Sequence, residues 1–263
     1  MLGAIIGDVV GSVYEFDNIR DKEFELIDNR AFFTDDTVCT VAIMDFLLHA
    51  EKRDEETATK YLHDWTNRYP NAGYGGRFWN WVHSDNPKPY NSYGNGSAMR
   101  ISPVAWVAKS YEELKELVNV VTKITHGHPE GIKGALAVAS CIFFTKEHDW
   151  DKADLWEYIR EQYPEISNYE YEELVKNYKF NETCQGSVPE AIYCFLYSDN
   201  FEDCLRTAIS IGGDSDTIAD MACAIGEAFY QDIDDELVDH VYSKLTPEMR
   251  NIVIEFREKY GGR

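Results

Sequence analysis

The sequence is poor in positive charge: 25 Lys and Arg residues stand against 47 Asp and Glu, for a formal net charge of −22. Proteins that bind the phosphate backbone of nucleic acids normally present a basic surface, so this deficit of positive charge argues against nucleic acid as a partner. It does not exclude a small ligand that carries phosphate, since bound cations and backbone amides can receive phosphate locally. Such a site would depend on its cations.

Long apolar runs are also missing, since nothing approaches the roughly 18 consecutive apolar residues that suggest a membrane span. The apolar segment at residues 1–16 lacks the basic start of a secretory leader and carries Asp8 and Glu15. We therefore predict a buried helix in this segment, no membrane partner, and a cytoplasmic protein.

Paired cysteine motifs are absent as well. The six cysteines form no C-x-x-C pair, and most of them lie within apolar helical patterns. In a cytoplasmic protein this favours buried free thiols over disulfides or zinc ligands. The positions concerned are Cys39, Cys141, Cys184, Cys194, Cys204 and Cys223.

Strand-like alternation is scarce, and apolar residues instead recur with a helical period, as in the stripe from Leu114 to Ile124. No repeat or linker divides the chain, so we predict one compact all-α domain over residues 1–263. Besides the stripe, the predicted helices cover residues 2–14, 36–51, 54–68, 74–83, 129–146, 150–162, 188–197, 201–211, 215–231, 234–243 and 247–259.

Two segments have weaker periodicity. Residues 69–103 are rich in Trp, Pro and Asn, which predicts long loops over the surface of the domain. Such ordered loops often carry function. The acidic segment at residues 168–177 is interpreted as a solvated helix or loop, with an interaction tail as the alternative.

Two acidic clusters, residues 34–37 (Thr-Asp-Asp-Thr) and 213–217 (Gly-Asp-Ser-Asp-Thr), each run into a long helical pattern. Either cluster alone is typical of a helix N-cap, which needs one side-chain acceptor. Here two carboxylates and a threonine crowd each helix start, and like charges repel unless they are neutralised. Because hard divalent cations prefer oxygen ligands, the excess favours a cation site.

Two other acidic motifs fail on spacing. An EF-hand loop beginning at Asp214 would need glycine at its sixth position and glutamate at its twelfth, where the chain has Ala219 and Ile225. A phosphatase of the haloacid dehalogenase type has Asp-x-Asp-x-Thr near its start, whereas Thr217 directly follows Asp216 late in this chain. No histidine has zinc-site spacing either, so the predicted site uses oxygen ligands only.

An ordered set of strings across almost the whole chain resembles the ADP-ribosylglycohydrolase family, which includes dinitrogenase reductase-activating glycohydrolases and ADP-ribosylarginine and ADP-ribosylserine hydrolases. The strings are GAIIGDVVGSVYEF at 3–16, FTDDT at 33–37, GYGG at 73–76, SYGNGSAMRISPV at 92–104, TH at 125–126 and GGDSDT at 212–217. The resemblance implies a helical fold with two divalent cations, Mg²⁺ or Mn²⁺, at the bottom of a cleft that binds ADP-ribose.

The resemblance also implies roles for the acidic residues. Glu15 matches a family glutamate of the catalytic machinery, so the resemblance makes it the candidate base. Without the resemblance, its position at a helix end would suggest an exposed acid. Asp36 is the second residue of the implied catalytic set. Asp8 lies on nearly the same helix face as Glu15, and we expect it to bond a metal ligand or a helix end. The implied metal ligands are Thr34, Asp35, Asp36, Asp214, Asp216 and Thr217.

The loops supply the implied substrate contacts, although each is also typical of an ordinary turn. Tyr93 offers a ring for adenine, glycine backbones can approach phosphate or ribose, and His126 is either a ligand contact or a structural hydrogen-bonding residue. Arg100 could clamp phosphate, but we expect it instead to tie down loop carbonyls, and we expect Trp79 and Trp81 to fill core or rim. The implied contacts are Gly73, Gly75, Gly76, Ser92, Tyr93, Gly94, Asn95 and His126.

These expectations describe a metal-dependent hydrolase that cleaves the glycosidic bond between ADP-ribose and a modified side chain, arginine or serine, and releases ADP-ribose. Residues 70–76 lack the carboxylate that some arginine-specific members carry, so the acceptor stays open. The alternatives are a non-catalytic ADP-ribose-binding or crystallin-like structural member, and a hydrolase of a free ADP-ribose conjugate.

Overall fold

Helices make up the regular structure of the protein, in a computed structural model that describes residues 1–261. Within this range no β-strand forms, and only two isolated bridges occur, Asn91 with His126 and Gly94 with Thr183. The fourteen α-helices are α1 (Leu2–Gly11), α2 (Asp35–His49), α3 (Glu55–Arg68), α4 (Gly76–Val82), α5 (Ser102–Val107), α6 (Tyr111–His126), α7 (Pro129–His148), α8 (Lys152–Gln162), α9 (Tyr171–Asn177), α10 (Val188–Tyr197), α11 (Phe201–Ser210), α12 (Ser215–Tyr230), α13 (Asp235–Lys244) and α14 (Pro247–Tyr260).

The centre of the fold is the pair α1 and α12. All residues of α1 are buried, and α12 also packs against α7, α10 and α11. Both helices are therefore apolar on nearly every side, as expected for helices surrounded by others.

Glycines every fourth residue let α1 and α12 approach closely. A Cβ at Gly3 would lie 2.2 Å from the carbonyl oxygen of Cys223, and one at Gly11 would lie 2.5 Å from the Cα of Asp216. Residues four apart lie on one helix face, so these glycines form a single flat contact stripe. The contact brings the end of α1 directly against the start of α12.

Gly7 occupies the middle of this stripe, and we expect Gly7→Ala to destabilise the protein by about 2 kcal/mol or more, a typical cost of overpacking a core. Its Cβ would lie 2.2 Å from the backbone oxygen of Ala219, and backbone cannot swing aside as a side chain can. Urea unfolding measured by circular dichroism tests this.

Gly226→Ala is the matched control within α12. A Cβ there meets Cys204 Sγ at 3.4 Å, which is ordinary contact, and alanine favours helix by up to about 1 kcal/mol. Equal stability changes in the two variants would contradict the backbone-contact interpretation of the stripe.

The structure confirms the all-α prediction and most of the predicted helices. Helix α1 ends at Gly11 rather than at residue 14, and it is followed by a tighter turn in which the N–H of Tyr14 donates to the carbonyl oxygen of Gly11 at 2.8 Å. The surface-loop prediction for residues 69–103 is wrong at its end: Ser97–Ile101 are buried, and the unpredicted helix α5 follows with a buried apolar face. Helix α9 within residues 168–177 buries no residue, in agreement with a solvated segment.

Several side-chain predictions are also confirmed. All six cysteines are free and buried. Trp81 lies in the core, while Trp79 is exposed at the rim and stacks on His83. Arg100 has the favoured structural role, although the carbonyl oxygen to which it donates belongs to Val121 in α6 rather than to a loop. None of the helices at residues 1–261 has the length and apolarity needed to cross a membrane.

Candidate active site

The N-terminus of α2 is held by Asp8, a carboxylate with no exposed surface. It accepts hydrogen bonds from the backbone N–H of Thr34 at 3.0 Å and from its hydroxyl at 2.7 Å. The backbone N–H of Thr37, at 3.1 Å, and its hydroxyl also donate to Asp8. Both predicted roles of Asp8 are therefore present: it accepts hydrogen bonds from the start of a helix and from Thr34, a predicted metal ligand.

The first acidic cluster has one capping residue and two carboxylates to spare. Thr34 caps α2 by accepting a bond from the N–H of Asp36 at 3.3 Å. Asp35 and Asp36 begin the helix, and the buried Oδ2 atom of Asp36 has no hydrogen-bond partner among the described residues. Capping thus accounts for the threonine alone.

The second cluster follows a turn that only glycine adopts easily. Gly212 and Gly213 have φ angles of +67° and +75°. Asp214 then stands at the N-cap position of α12, yet its side chain makes no cap bond. Its Oδ2 atom instead accepts a bond of 2.7 Å from the amide of Asn95, so the carboxylate faces the loop at residues 92–97.

Glu15 joins this cluster because Asn18 ties two chain segments together. The Asn18 side chain donates to the carbonyl oxygens of Glu15 and Gly213, each at 3.0 Å, and accepts from the N–H of Gly213 at 2.8 Å. As a result, carboxylate oxygens of Glu15, Asp214 and Asp216 lie within 4.8 Å of one another. Glu15 is half-buried rather than an exposed helix-end acid.

The electrostatics favour protonation of these acids in the absence of cations. Burial, reinforced by the charges of Asp214 and Asp8, raises the pKa of Glu15 to about 7. Burial and the charges of Asp8 and Asp214 raise the pKa of Asp35 to about 8. Asp214 is raised to a pKa of about 6 by burial, although the bond from Asn95 opposes this change.

The donor chemistry fits divalent cations. Burial and neighbouring acids raise the pKa of Asp36 and of Asp216 well above the usual value, so holding both ionised needs a positive partner. Asp216 Oδ1, like Asp36 Oδ2, is buried without a hydrogen-bond partner among residues 1–261. Carboxylate and threonine oxygens are the ligands that Mg²⁺, Mn²⁺ and Ca²⁺ prefer.

A cavity of about 270 Å³ opens above the acids. Two clefts of about 660 and 970 Å³ lie elsewhere on the surface, but neither contains the two acidic clusters. Of the residues predicted for the site, Thr34 and Tyr93 do not line this cavity. Those that do are Glu15, Asp35, Asp36, Gly73, Gly75, Gly76, Ser92, Gly94, Asn95, His126, Asp214, Asp216 and Thr217.

The glycine loop before α4 forms one wall of the cavity. Gly73 has φ +103°, a conformation that favours glycine, and a Cβ there would lie 3.4 Å from Asp35 Oδ1. A Cβ at Gly75 or Gly76 would meet only open space within 4 Å, so the backbone of these two residues faces the cavity without obstruction. This wall is accessible to a bulky ligand.

The opposite wall combines the loop at residues 92–96 with His126. Ser92 Oγ accepts a bond of 3.1 Å from the N–H of Gly94. His126 is buried, and its Nε2 atom faces the glycines of this loop. Tyr93 does not line the cavity: the residue is 46% exposed, and its ring meets His128 edge-on with centroids 5.4 Å apart.

Some lining residues were not predicted from the sequence, among them Arg77, Tyr90 and Glu182. Arg77 lies over the ring of Tyr90, with its Cζ 4.9 Å from the ring centroid. Glu182 stands at the cavity lining, and its charge helps to raise the pKa of Glu15 and Asp214, after the larger effect of burial. None of the three belongs to a recognisable motif, since each comes from a loop or helix start whose position depends on the tertiary fold.

Comparison with known sequences shows which protein family the chain matches. A sequence model described as ADP-ribosylglycohydrolase matches residues 1–260. The chain is similar to ADP-ribosylhydrolase ARH3 of Mus musculus, at 27% identity over 88% of this chain and 82% of that protein. ADP-ribosylhydrolase ARH3 of Homo sapiens is also 27% identical, over 88% of this chain and 84% of the human protein.

Two further relatives extend the comparison. An uncharacterized protein of Archaeoglobus fulgidus is 26% identical over 86% of this chain and 84% of its own length. A solved structure described as an ADP-ribosylglycohydrolase-related protein complex superposes with a TM-score of 0.71 at 20% identity, covering 98% of this chain and 95% of that one. At that identity the structural likeness supports the fold alone.

Proposed function

The chain belongs to the ADP-ribosylglycohydrolase family, and from this premise we propose that it hydrolyses the glycosidic bond between ADP-ribose and a modified arginine or serine side chain. The products are free ADP-ribose and the unmodified acceptor. We further propose that two divalent cations, Mg²⁺ or Mn²⁺, occupy the site.

The grouping of Glu15, Asp214 and Asp216 within 4.8 Å carries this proposal. Five acids from two helix starts and one turn converge on the floor of a single cavity, and glycine-rich loops form its walls. A binding protein would need the cavity but would gain nothing from so many carboxylates held against their own repulsion. The acids therefore favour a catalytic role.

Glu15 is the proposed general base. Its half-buried carboxylate lies beside Asp214 and Asp216 and lines the cavity, where it can accept a proton from a water molecule. Its carboxylate would orient a water molecule and accept a proton as that water attacks the anomeric carbon of the ribose. Positive charge develops on the sugar in such a reaction, so the neighbouring carboxylates would also stabilise the transition state.

The proposed metal ligands are Thr34, Asp35 and Asp36 at the start of α2, with Asp214, Asp216 and Thr217 at the start of α12. Bound divalent cations would supply Lewis acidity and would neutralise these acids. Asn95 orients Asp214, and Asp8 orients Thr34 through the hydrogen bonds described above. Asp36 also belongs to the proposed catalytic set.

Release of ADP-ribose from defined peptides tests the proposed function. Peptides that carry ADP-ribosyl-arginine or ADP-ribosyl-serine are incubated with EDTA-treated protein, with and without added Mg²⁺ or Mn²⁺, and free ADP-ribose is measured by chromatography. We expect release from at least one peptide, falling to background in EDTA and returning with the cation.

The same experiment distinguishes the alternatives. A protein that binds ADP-ribose in calorimetry yet releases none from either peptide would be a non-catalytic binding protein. Turnover that persists unchanged in EDTA would contradict the metal dependence, because the buried acids would then act without neutralisation.

A further inference from the structure

Arg100, Thr125 and His126 form a buried chain that ends at the cavity. Arg100 Nη2 donates to the hydroxyl oxygen of Thr125 at 2.6 Å, and this oxygen lies 2.8 Å from Nδ1 of His126. Arg100 is 1% exposed and His126 is 5% exposed, so water does not compete for these bonds. Arg100 and His126 both border the cavity, and the ring of His126 is the member that reaches the glycines at residues 94 and 96.

The donors and acceptors of these three hydrogen-bonded side chains select one tautomer of His126. A guanidinium only donates, so the Thr125 oxygen must accept from Arg100. The hydroxyl has one proton, and Nδ1 of His126 is the remaining partner found for it among the described residues. If Nδ1 carried a proton, the threonine proton would be buried without an acceptor, which is a costly arrangement. Nδ1 is therefore the acceptor, and Nε2 carries the proton.

The protonated Nε2 faces the ligand loop. A Cβ at Gly96 would lie 3.2 Å from Nε2, and one at Gly94 would lie 3.6 Å from it, so glycine backbone leaves this atom accessible. No hydrogen bond to Nε2 occurs within residues 1–261. Burial and the nearby charges of Arg100 and Arg77 also hold the pKa of His126 well below its usual value, so the ring stays neutral.

We propose that Arg100 and Thr125 are positioning residues that fix His126 as a neutral donor through Nε2, aimed at a phosphate or ribose oxygen of the bound nucleotide. Arg100 also borders the cavity, but it is 1% exposed and its hydrogen bonds run to Thr125 and Val121, so we propose that it acts through Thr125. The identity of the ligand rests on the proposed function, whereas the tautomer is a property of the free protein. The two parts can therefore be tested separately.

Nitrogen-15 spectroscopy of histidine-labelled protein measures the tautomer directly. The signals of His126 are assigned by their loss in His126→Gln. In the free protein at neutral pH we expect a protonated Nε2 and an unprotonated Nδ1. In Thr125→Val, which keeps the shape but removes the hydroxyl, we expect a mixture of tautomers and ADP-ribose affinity weakened about tenfold, equivalent to one lost hydrogen bond.

Thr122→Val is the matched control, because Thr122 is a buried threonine one turn earlier in α6 whose hydroxyl oxygen has no partner in the described chain. It should leave both the His126 spectrum and the affinity unchanged. Thr125→Ser keeps the hydroxyl that Thr125→Val removes, so it should show the wild-type His126 spectrum and the wild-type affinity for ADP-ribose.

Three results would overturn the proposal: a proton on Nδ1 in the free protein, a charged ring at neutral pH, or a Thr125→Val variant that matches the wild type in spectrum and affinity. Failure of the wild type to bind ADP-ribose would instead overturn the proposed function, while the free-protein spectrum would still decide the tautomer.

Discussion

Asp216→Asn should lower the rate of ADP-ribose release by about a hundredfold to a thousandfold, the scale at which single electrostatic groups contribute to catalysis. The change removes one negative charge beside Asp214 and Glu15 while keeping the size of the side chain. Asp36→Asn should have a similar effect at the other cluster, since its Oδ2 atom likewise has no hydrogen-bond partner among residues 1–261.

The same substitutions should leave the fold intact or strengthen it. Each carboxylate is buried next to other acids, so an amide relieves repulsion and removes the cost of burying charge. In metal-free protein we therefore expect a melting temperature equal to or above that of the wild type. Loss of activity together with gain of stability is typical of residues retained for function.

Glu236→Gln on α13 is the control, since Glu236 is an exposed acid far from the clusters in sequence and lines a different cleft. It should change neither rate nor stability beyond about 0.5 kcal/mol. Wild-type activity in Asp36→Asn or Asp216→Asn would rule out the two-cluster site.

The acidic clusters were predictable because their carboxylates are neighbours in the chain. Two carboxylates and a threonine at one helix start exceed what a cap requires, and the structure bears out the distinction: Thr34 caps α2, while Asp214 makes no side-chain cap. Local sequence sufficed because both clusters stand at helix starts, which lie close to where the pattern places them.

Other parts of the site depend on tertiary contacts that the hydrophobic periodicity of the sequence does not predict. The hydrophobic pattern predicts α1 but not its partner, which follows from the spacing of Gly3, Gly7 and Gly11. The position of Glu15 beside Asp216 depends on that contact and on Asn18, a polar loop residue without a motif.

The cavity lining was predictable only where motifs cover it. Arg77 and Glu182 come from distant parts of the chain, and nothing local in their sequence indicates that they line one cavity. Tyr93 shows the converse, since its motif suggests adenine stacking while the residue is not part of the cavity lining. A stacking role for Tyr93 stays a prediction and would place the adenine beyond the cavity mouth.

Without cations, the stability of the protein should fall as the pH rises from about 4 to about 8. The pKa values of Asp214, Glu15 and Asp35 are raised to about 6, 7 and 8, above the values near 4 of unfolded chains. In this window the folded state holds protons that the unfolded state has released, so each step up in pH favours unfolding. Below about pH 4 these carboxyl groups are protonated in both the folded and the unfolded state, so they no longer lower the stability of the folded state.

Divalent cations should reverse this trend because they replace the protons. An ion present at a hundred times its dissociation constant stabilises the folded state by about 2.7 kcal/mol. For a chain of this length that raises the melting temperature by roughly 5 °C per ion. The rise should be larger at pH 8 than at pH 5, where protons compete for the same oxygens.

Melting curves of EDTA-treated protein at pH 5, 6, 7 and 8, with and without Mg²⁺ or Mn²⁺, measure both effects. The overall charge of −22 also lowers stability as acids ionise, so sodium chloride of matched ionic strength serves as the screening control. The double variant Asp36→Asn/Asp216→Asn should lose most of the cation response while keeping the general salt response. A divalent-cation rise that is independent of pH, or that survives in the double variant, would mean that the ions bind elsewhere on this acidic surface.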